Sequence, residues 1–176
     1  IAGFMVRLRA AEGVGARALE FAILTAARSG EVRGATWREI DLEARVWIIS
    51  AERMKAAREH RAPLSEAAVA VLKSMPSGRP DAYVFPAGHG GRLSDMTISA
   101  VLRRLEVDAV PHGFRSTFRD WAAERTSYPN EVAEMALAHA VGNKVEAAYR
   151  RGDLFEKRLA MMDDWGRFCA GEAKGA

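Results

Sequence analysis

The sequence predicts an α+β fold, mostly helical with one small three-stranded antiparallel sheet. Apolar side chains recur at helical spacing through most of the chain, as at Leu19, Ala22, Ile23 and Ala26. Arg45-Val46-Trp47-Ile48-Ile49-Ser50 is β-branched and aromatic and gives the strongest strand signal. After the polar stretch from Ala51 to Arg58, His60 to Leu64 reads as a second strand that returns along the first as a hairpin.

The elements follow in order. Ile1 falls within an apolar helix, and residues 14–27 form a second helix that ends near Arg28, punctuated by Ser29-Gly30. Glu31 to Trp37 reads as a short turn or helix before the hairpin. Ser65 caps a helix reaching about Met75, and Pro76 to Pro80 is a turn cluster. Tyr83-Val84-Phe85-Pro86 is expected as the third strand, and Gly88, Gly90 and Gly91 as a loop. Helices follow over about Ser94 to Val107, over Gly113 to Arg125 after Pro111, and from Asn130 toward Ala140. A short helix around Asn143 to Arg150 and a last one from Asp153 to about Phe168 complete the chain. The last helix carries Leu154, Phe155, Leu159, Met162, Trp165 and Phe168 on one face, suited equally to its own core or to a neighbouring copy.

The chain has 176 residues, 49% of them hydrophobic, enough for one domain to bury a core unaided. Its single cysteine, Cys169, rules out an internal disulfide and suits a reducing, cytoplasmic setting. No apolar run approaches the ~18 residues needed to span a membrane. The formal charge is +3, and only five of the twenty-six cations are lysines. Arginine forks suit phosphate oxygens, although arginine excess also follows from genomic base composition.

Five segments in fixed order carry the chemistry: Thr25-Ala26-Ala27-Arg28-Ser29-Gly30-Glu31, Met54-Lys55, His112-Gly113-Phe114-Arg115, Leu137-Ala138-His139, and Tyr149. A phosphodiester repels nucleophiles, and its transition state gathers further charge on the non-bridging oxygens. Arg28 and Arg115 can neutralise that charge without a metal. A tyrosine of pKa near ~10 is scarcely ionised at neutral pH, so it needs a base, for which His112 is placed one helical turn before Arg115. Arg28 and Glu31, three apart, also suit a local ion pair, and Glu31 is read as structural, orienting the arginine or the turn.

With these segments, and with the wording His-Gly-Phe-Arg-Ser-Thr-Phe-Arg-Asp-Trp-Ala and Leu-Ala-His-Ala-Val-Gly-Asn-Lys-Val-Glu-Ala-Ala-Tyr-Arg-Arg-Gly-Asp, the chain resembles the tyrosine recombinases of the phage-integrase family. The likeness is to prophage and genomic-island integrases in particular. It implies that Tyr149 is the nucleophile, that Lys55 at the hairpin tip protonates the leaving 5′-oxygen, and that His139 donates a hydrogen bond to the phosphate. It implies cleavage and rejoining of double-stranded DNA at attachment sites through a 3′-phosphotyrosyl link, by four protomers, for integration or excision of a mobile element. Residues 1–176 are then expected to be the C-terminal catalytic domain of a longer integrase whose N-terminal DNA-binding domains are absent. Many members have Gly where this chain has Ala26, which reads as a small change on a buried helix.

No cofactor is expected: His60, His89, His112, His139 and Cys169 show no zinc spacing. Gly88-His89-Gly90-Gly91-Arg92 lacks the Gly-Lys-Ser/Thr of a phosphate loop and reads as a turn. Arg53, Arg58 and Arg61 are expected on DNA backbone or in solvent. Three other functions are open to these residues: a type IB topoisomerase, a DNA-binding regulator on the same fold, and, more remotely, a metal-free ribonuclease using His112, His139 and Lys55.

Overall fold

The computed structural model describes residues 1–139 and 152–172. Helix α1 (Ala2–Ala10) lays Met5 and Leu8 against α2 (Val14–Thr25). Most side chains of α2 are apolar and buried, including Leu19, Phe21, Ile23 and Leu24, as suits a central helix. Its one buried charge, Glu20, is matched by Arg9 and Arg17, each at 2.8 Å. α2 stops at Thr25 because Ala26 turns left-handed, at φ 50°. Ala27 and the extended Arg28 then lead into α3 (Ser29–Arg33).

The sheet runs β1-β2-β3, antiparallel throughout, with β1 at Ile40–Asp41, β2 at Val46–Ile49 and β3 at His60–Pro63. The expected hairpin is present, pairing Trp47 with Ala62 and Ile49 with His60. The third strand is not the expected Tyr83–Pro86. That segment makes only isolated bridges, from Tyr83 to Thr36 and from Pro86 to Arg92, and Pro86 has no N–H with which to extend a ladder. The edge is taken instead by Ile40 opposite Trp47. The reversal between β1 and β2 is closed by Asp41, whose carboxylate accepts the Ala44 N–H at 2.8 Å, and by Arg45 at φ 52°.

Trp47 is fully buried against Phe21, with ring centroids 5.4 Å apart, and so fastens the sheet to α2. Ser65 caps α4 (Glu66–Ser74) as expected, accepting the Ala68 N–H at 3.2 Å. Helices α5 (Asp95–Arg104) and α6 (Gly113–Arg125) follow. α7 (Asn130–Ala136) ends four residues short of Ala140. The last helix, α8 (Phe155–Ala170), packs on its own chain: Met161, Met162, Trp165 and Cys169 are buried. Trp165 meets Phe118 of α6 edge to face and Trp121 at a tilt, and it donates its indole N–H to the Ile23 carbonyl at 2.8 Å. Among the described residues no helix is long and apolar enough to cross a membrane.

Candidate active site

The site forms where the left-handed end of α2, the start of α3, the first turn of α6 and the end of α7 converge. Arg28 is the residue before α3, and Glu31 lies in its first turn. One Glu31 oxygen accepts the Arg28 backbone N–H at 2.8 Å, and the other accepts its guanidinium at 2.9 Å. A single buried carboxylate thus closes the helix start and points the arginine. The Arg28 side chain is 27% exposed against 6% for Glu31, and among the described residues Glu31 holds it through Nη1.

Arg115 comes from the buried face of α6 and is 5% exposed. Its guanidinium donates to the Ala26 carbonyl and, at 2.7 Å, to the Leu137 carbonyl. Both acceptors sit where a helix has just ended, at carbonyls that no further turn satisfies. Arg115 Nε has no hydrogen-bond partner among the described residues. Burial first, and then the charge of Arg28, lower its pKa to about 10, with Glu31 acting the other way. It is therefore a cation at physiological pH, held close to a second cation.

His139 follows α7 through a Schellman turn. Ala138 adopts φ 51°, its N–H reaches the Met135 carbonyl at 3.1 Å, and the His139 N–H reaches the Glu134 carbonyl at 2.9 Å. The turn folds His139 back over Glu134, whose carboxylate lies 2.8 Å from Nδ1. Arg115 Nη2 is 3.2 Å from Nε2. A guanidinium can only donate, so Nε2 is the acceptor and Nδ1 carries the proton.

Of the six residues the sequence singles out, Arg28, Arg115 and His139 are brought to this one place. His112 precedes the first residue of α6, one turn before Arg115, and is exposed. Lys55 is exposed at the tip of the β2–β3 hairpin. Tyr149 lies outside the described residues, as does the short helix expected around Asn143 to Arg150.

Two expectations are corrected. Arg53 is turned inward, pairing with Glu39 and donating to the Glu31 carbonyl, so it ties the hairpin to α3. It fits because Gly34 has no side chain: a Cβ there would come within 2.9 Å of it. Arg61 stays exposed, as expected, while pairing with Asp153 at 3.1 Å and lying 4.5 Å over the Phe155 ring. Asp153 also receives Arg158, a fully buried cation that donates to the Arg61 carbonyl at 2.6 Å. Arg58 stays exposed. Ala26 is not on a helix either: its left-handed backbone is where glycine costs least.

Sequence reasoning also passed over Glu134 and His60. A carboxylate five residues before a histidine is no helical neighbour of it, and only the Schellman turn makes it one. His60 opens β3, where burial and then the nearby Arg158, Arg115 and Arg28 lower its pKa to about 4. Nothing in its spacing signals that.

Residues 5–154 match the phage integrase family. The chain belongs to the phage integrase family. It is 38% identical to the prophage integrase IntA of Escherichia coli K12 over 148 residues, which covers 81% of this chain and 36% of that protein. It is 32% identical to the integrase of Enterobacteria phage P4 over 184 residues, covering 92% of this chain and 42% of the other. The chain thus spans about two fifths of the length of these integrases. The crystal structure of XerA recombinase superposes with a TM-score of 0.54 at 19% identity, over 85% of this chain and 60% of that one. At that identity the likeness concerns the fold, and it agrees with the α+β architecture of an integrase.

Proposed function

We propose that this chain is the catalytic domain of a site-specific tyrosine recombinase that cuts and rejoins double-stranded DNA at attachment sites. The observation that carries the proposal is the pair of guanidiniums, Arg28 and Arg115, each oriented by fixed acceptors and set close enough for one charge to depress the other's pKa. Two neighbouring cations with Glu31 as the one carboxylate paired to them among the described residues suit a phosphate, whose arrival relieves their repulsion. The unpartnered Arg115 Nε is a further donor.

In the proposed reaction the Tyr149 oxygen attacks phosphorus while the bond from phosphorus to the 5′-oxygen breaks. The phenolic proton passes to His112, which the exposed start of α6 leaves open to substrate. Lys55 delivers a proton to the leaving 5′-oxygen. Arg28, Arg115 and His139 stabilise the charge on the non-bridging oxygens. His139 Nε2 accepts from Arg115 in the free chain, so donating to phosphate requires a second proton on the ring, with Glu134 as counter-charge. The 3′-phosphotyrosyl product conserves the bond energy, and a 5′-hydroxyl from a second duplex reverses the step. Four protomers on two duplexes, acting in the cytoplasm for integration or excision of a mobile element, complete the proposal.

One described tyrosine is a poor rival to Tyr149. Tyr128 donates to Asp164 at 2.9 Å, and burial and that hydrogen bond raise its pKa to about 12, making it a poor nucleophile.

The test incubates the full-length protein and its Tyr149→Phe variant with nicked attachment-site DNA, without divalent metal. Loss of the short fragment beyond the nick traps the intermediate. A covalent band given by the parent and lost in the variant is expected. Bound DNA with no band would favour a regulator that keeps the fold without catalysis.

A further inference from the structure

Glu134 is shared between two partners that the proposed reaction does not use together. One oxygen receives Nε of Arg119, and the other lies 2.8 Å from His139 Nδ1. The other ring nitrogen faces Arg115 at 3.2 Å. The four residues form a line, Arg119–Glu134–His139–Arg115, running from the flank of α6 through the end of α7 and back to α6. Its ends lie four residues apart on one helix, so they face the same side.

We propose that Glu134, held in place by Arg119, is the positioning residue for His139. It fixes the imidazole as the Nδ1–H tautomer, so that Nε2 accepts from Arg115 in the free chain and is the nitrogen that takes the second proton when the phosphate arrives. The proposal deepens the recombinase reading and rests on it for the role of Arg115.

Three observations support it. The tautomer is dictated from both sides, since a carboxylate can accept only from Nδ1–H and a guanidinium can donate only to an unprotonated Nε2. The backbone does not need the side-chain contact, because the Schellman bonds from Ala138 and His139 already close α7. The side chains are also too exposed for the contacts to matter much to stability: Arg119 is 36% exposed, Glu134 21% and His139 42%. Burial raises the Glu134 pKa, yet the hydrogen bonds and charges of His139 and Arg119 outweigh it and leave the net shift downward. The carboxylate therefore stays ionised, as a counter-charge for a doubly protonated imidazole must.

The test compares the wild type with E134A and E134Q. Nitrogen-15 shifts of the His139 ring, recorded on the 176-residue chain at a pH where imidazole is neutral, report the tautomer. Single-turnover cleavage of nicked DNA by the full-length protein reports the consequence. The Nδ1–H form is expected in the wild type and in E134Q, whose amide oxygen can still accept. E134A is expected to revert to the Nε2–H form that free histidine prefers. Its cleavage rate should fall about 10–100-fold, the usual cost of removing a partner that orients a functional histidine, with unchanged affinity for DNA. E134Q should recover most of that rate, and in a His139→Ala background E134A should cost nothing more. A wild-type ring already in the Nε2–H form overturns the proposal. So does an equal loss in E134A and E134Q, or a loss that adds fully to that of His139→Ala. Absence of any covalent adduct from the wild type would instead sink the recombinase reading, and the tautomer measurement would decide the role of Glu134 alone.

Discussion

The two oxygens of Glu31 divide between the two parts of one residue, taking the backbone N–H of Arg28 at 2.8 Å and its guanidinium at 2.9 Å. Helix start and proposed phosphate clamp are therefore a single structure. A Glu31→Ala variant should lose about 1–2 kcal/mol of stability with the cap, and cleavage about 10²-fold with the orientation of Arg28. Glu31→Gln keeps one acceptor and should recover more of the stability than of the rate. Thermal unfolding and single-turnover cleavage separate the two. Equal recovery of both would detach the clamp from the cap.

Arg53 holds the β2–β3 hairpin to the Glu31 carbonyl and to Glu39, two residues before Lys55. Arg53→Ala should slow cleavage about 10-fold, a fraction of the ~10²–10⁴ that a general acid contributes, and leave DNA affinity nearly unchanged. The loss should vanish on DNA whose leaving 5′-oxygen is replaced by sulfur, because a thiolate departs without a proton. Persistence of the loss on that substrate would show that Arg53 does not act through Lys55.

His60 makes the fold sensitive to acid. In the folded chain its pKa is lowered to about 4, by burial and then by Arg158, Arg115 and Arg28, whereas an unfolded imidazole protonates near ~6.5. Between these values the unfolded chain binds the extra proton, so stability falls as the pH drops from about 6.5 toward 4 and levels off below. The shift corresponds to roughly 3 kcal/mol. Chemical denaturation across this range should show the slope in the wild type and a much flatter one in His60→Gln.

Ala138 holds a left-handed conformation, at φ 51°, in the turn that delivers His139. A Cβ is unfavourable there by about 1 kcal/mol relative to glycine. Ala138→Gly should therefore raise stability by about that amount, or ~2–4 °C in Tm for a chain of this size, without loss of cleavage. A lowered Tm would mean that the Ala138 methyl contributes more packing than its backbone conformation costs.

Several features were legible in the residues alone. Apolar periodicity marks the helices, and β-branching at Val46, Ile48 and Ile49 marks the hairpin, because local propensity and one-sided burial leave their pattern on consecutive residues. The family pattern around Arg28, Arg115 and His139 was legible too, since those residue types and their order along the chain are carried by the sequence itself. Tertiary structure decided the rest. Ile40–Asp41 rather than Tyr83–Pro86 completes the sheet, because an edge goes to whichever segment lies beside Trp47 with free hydrogen-bonding groups. α8 packs on its own chain because Trp165 finds the Ile23 carbonyl there. Arg53 turns inward to Glu39, 14 residues away, and Arg61 pairs at the surface with Asp153, 92 residues away. Glu134 meets His139 only through a left-handed turn at Ala138. Each of these outcomes depends on partners distant in sequence or on a backbone reversal, and neither writes a period into the amino acids around it.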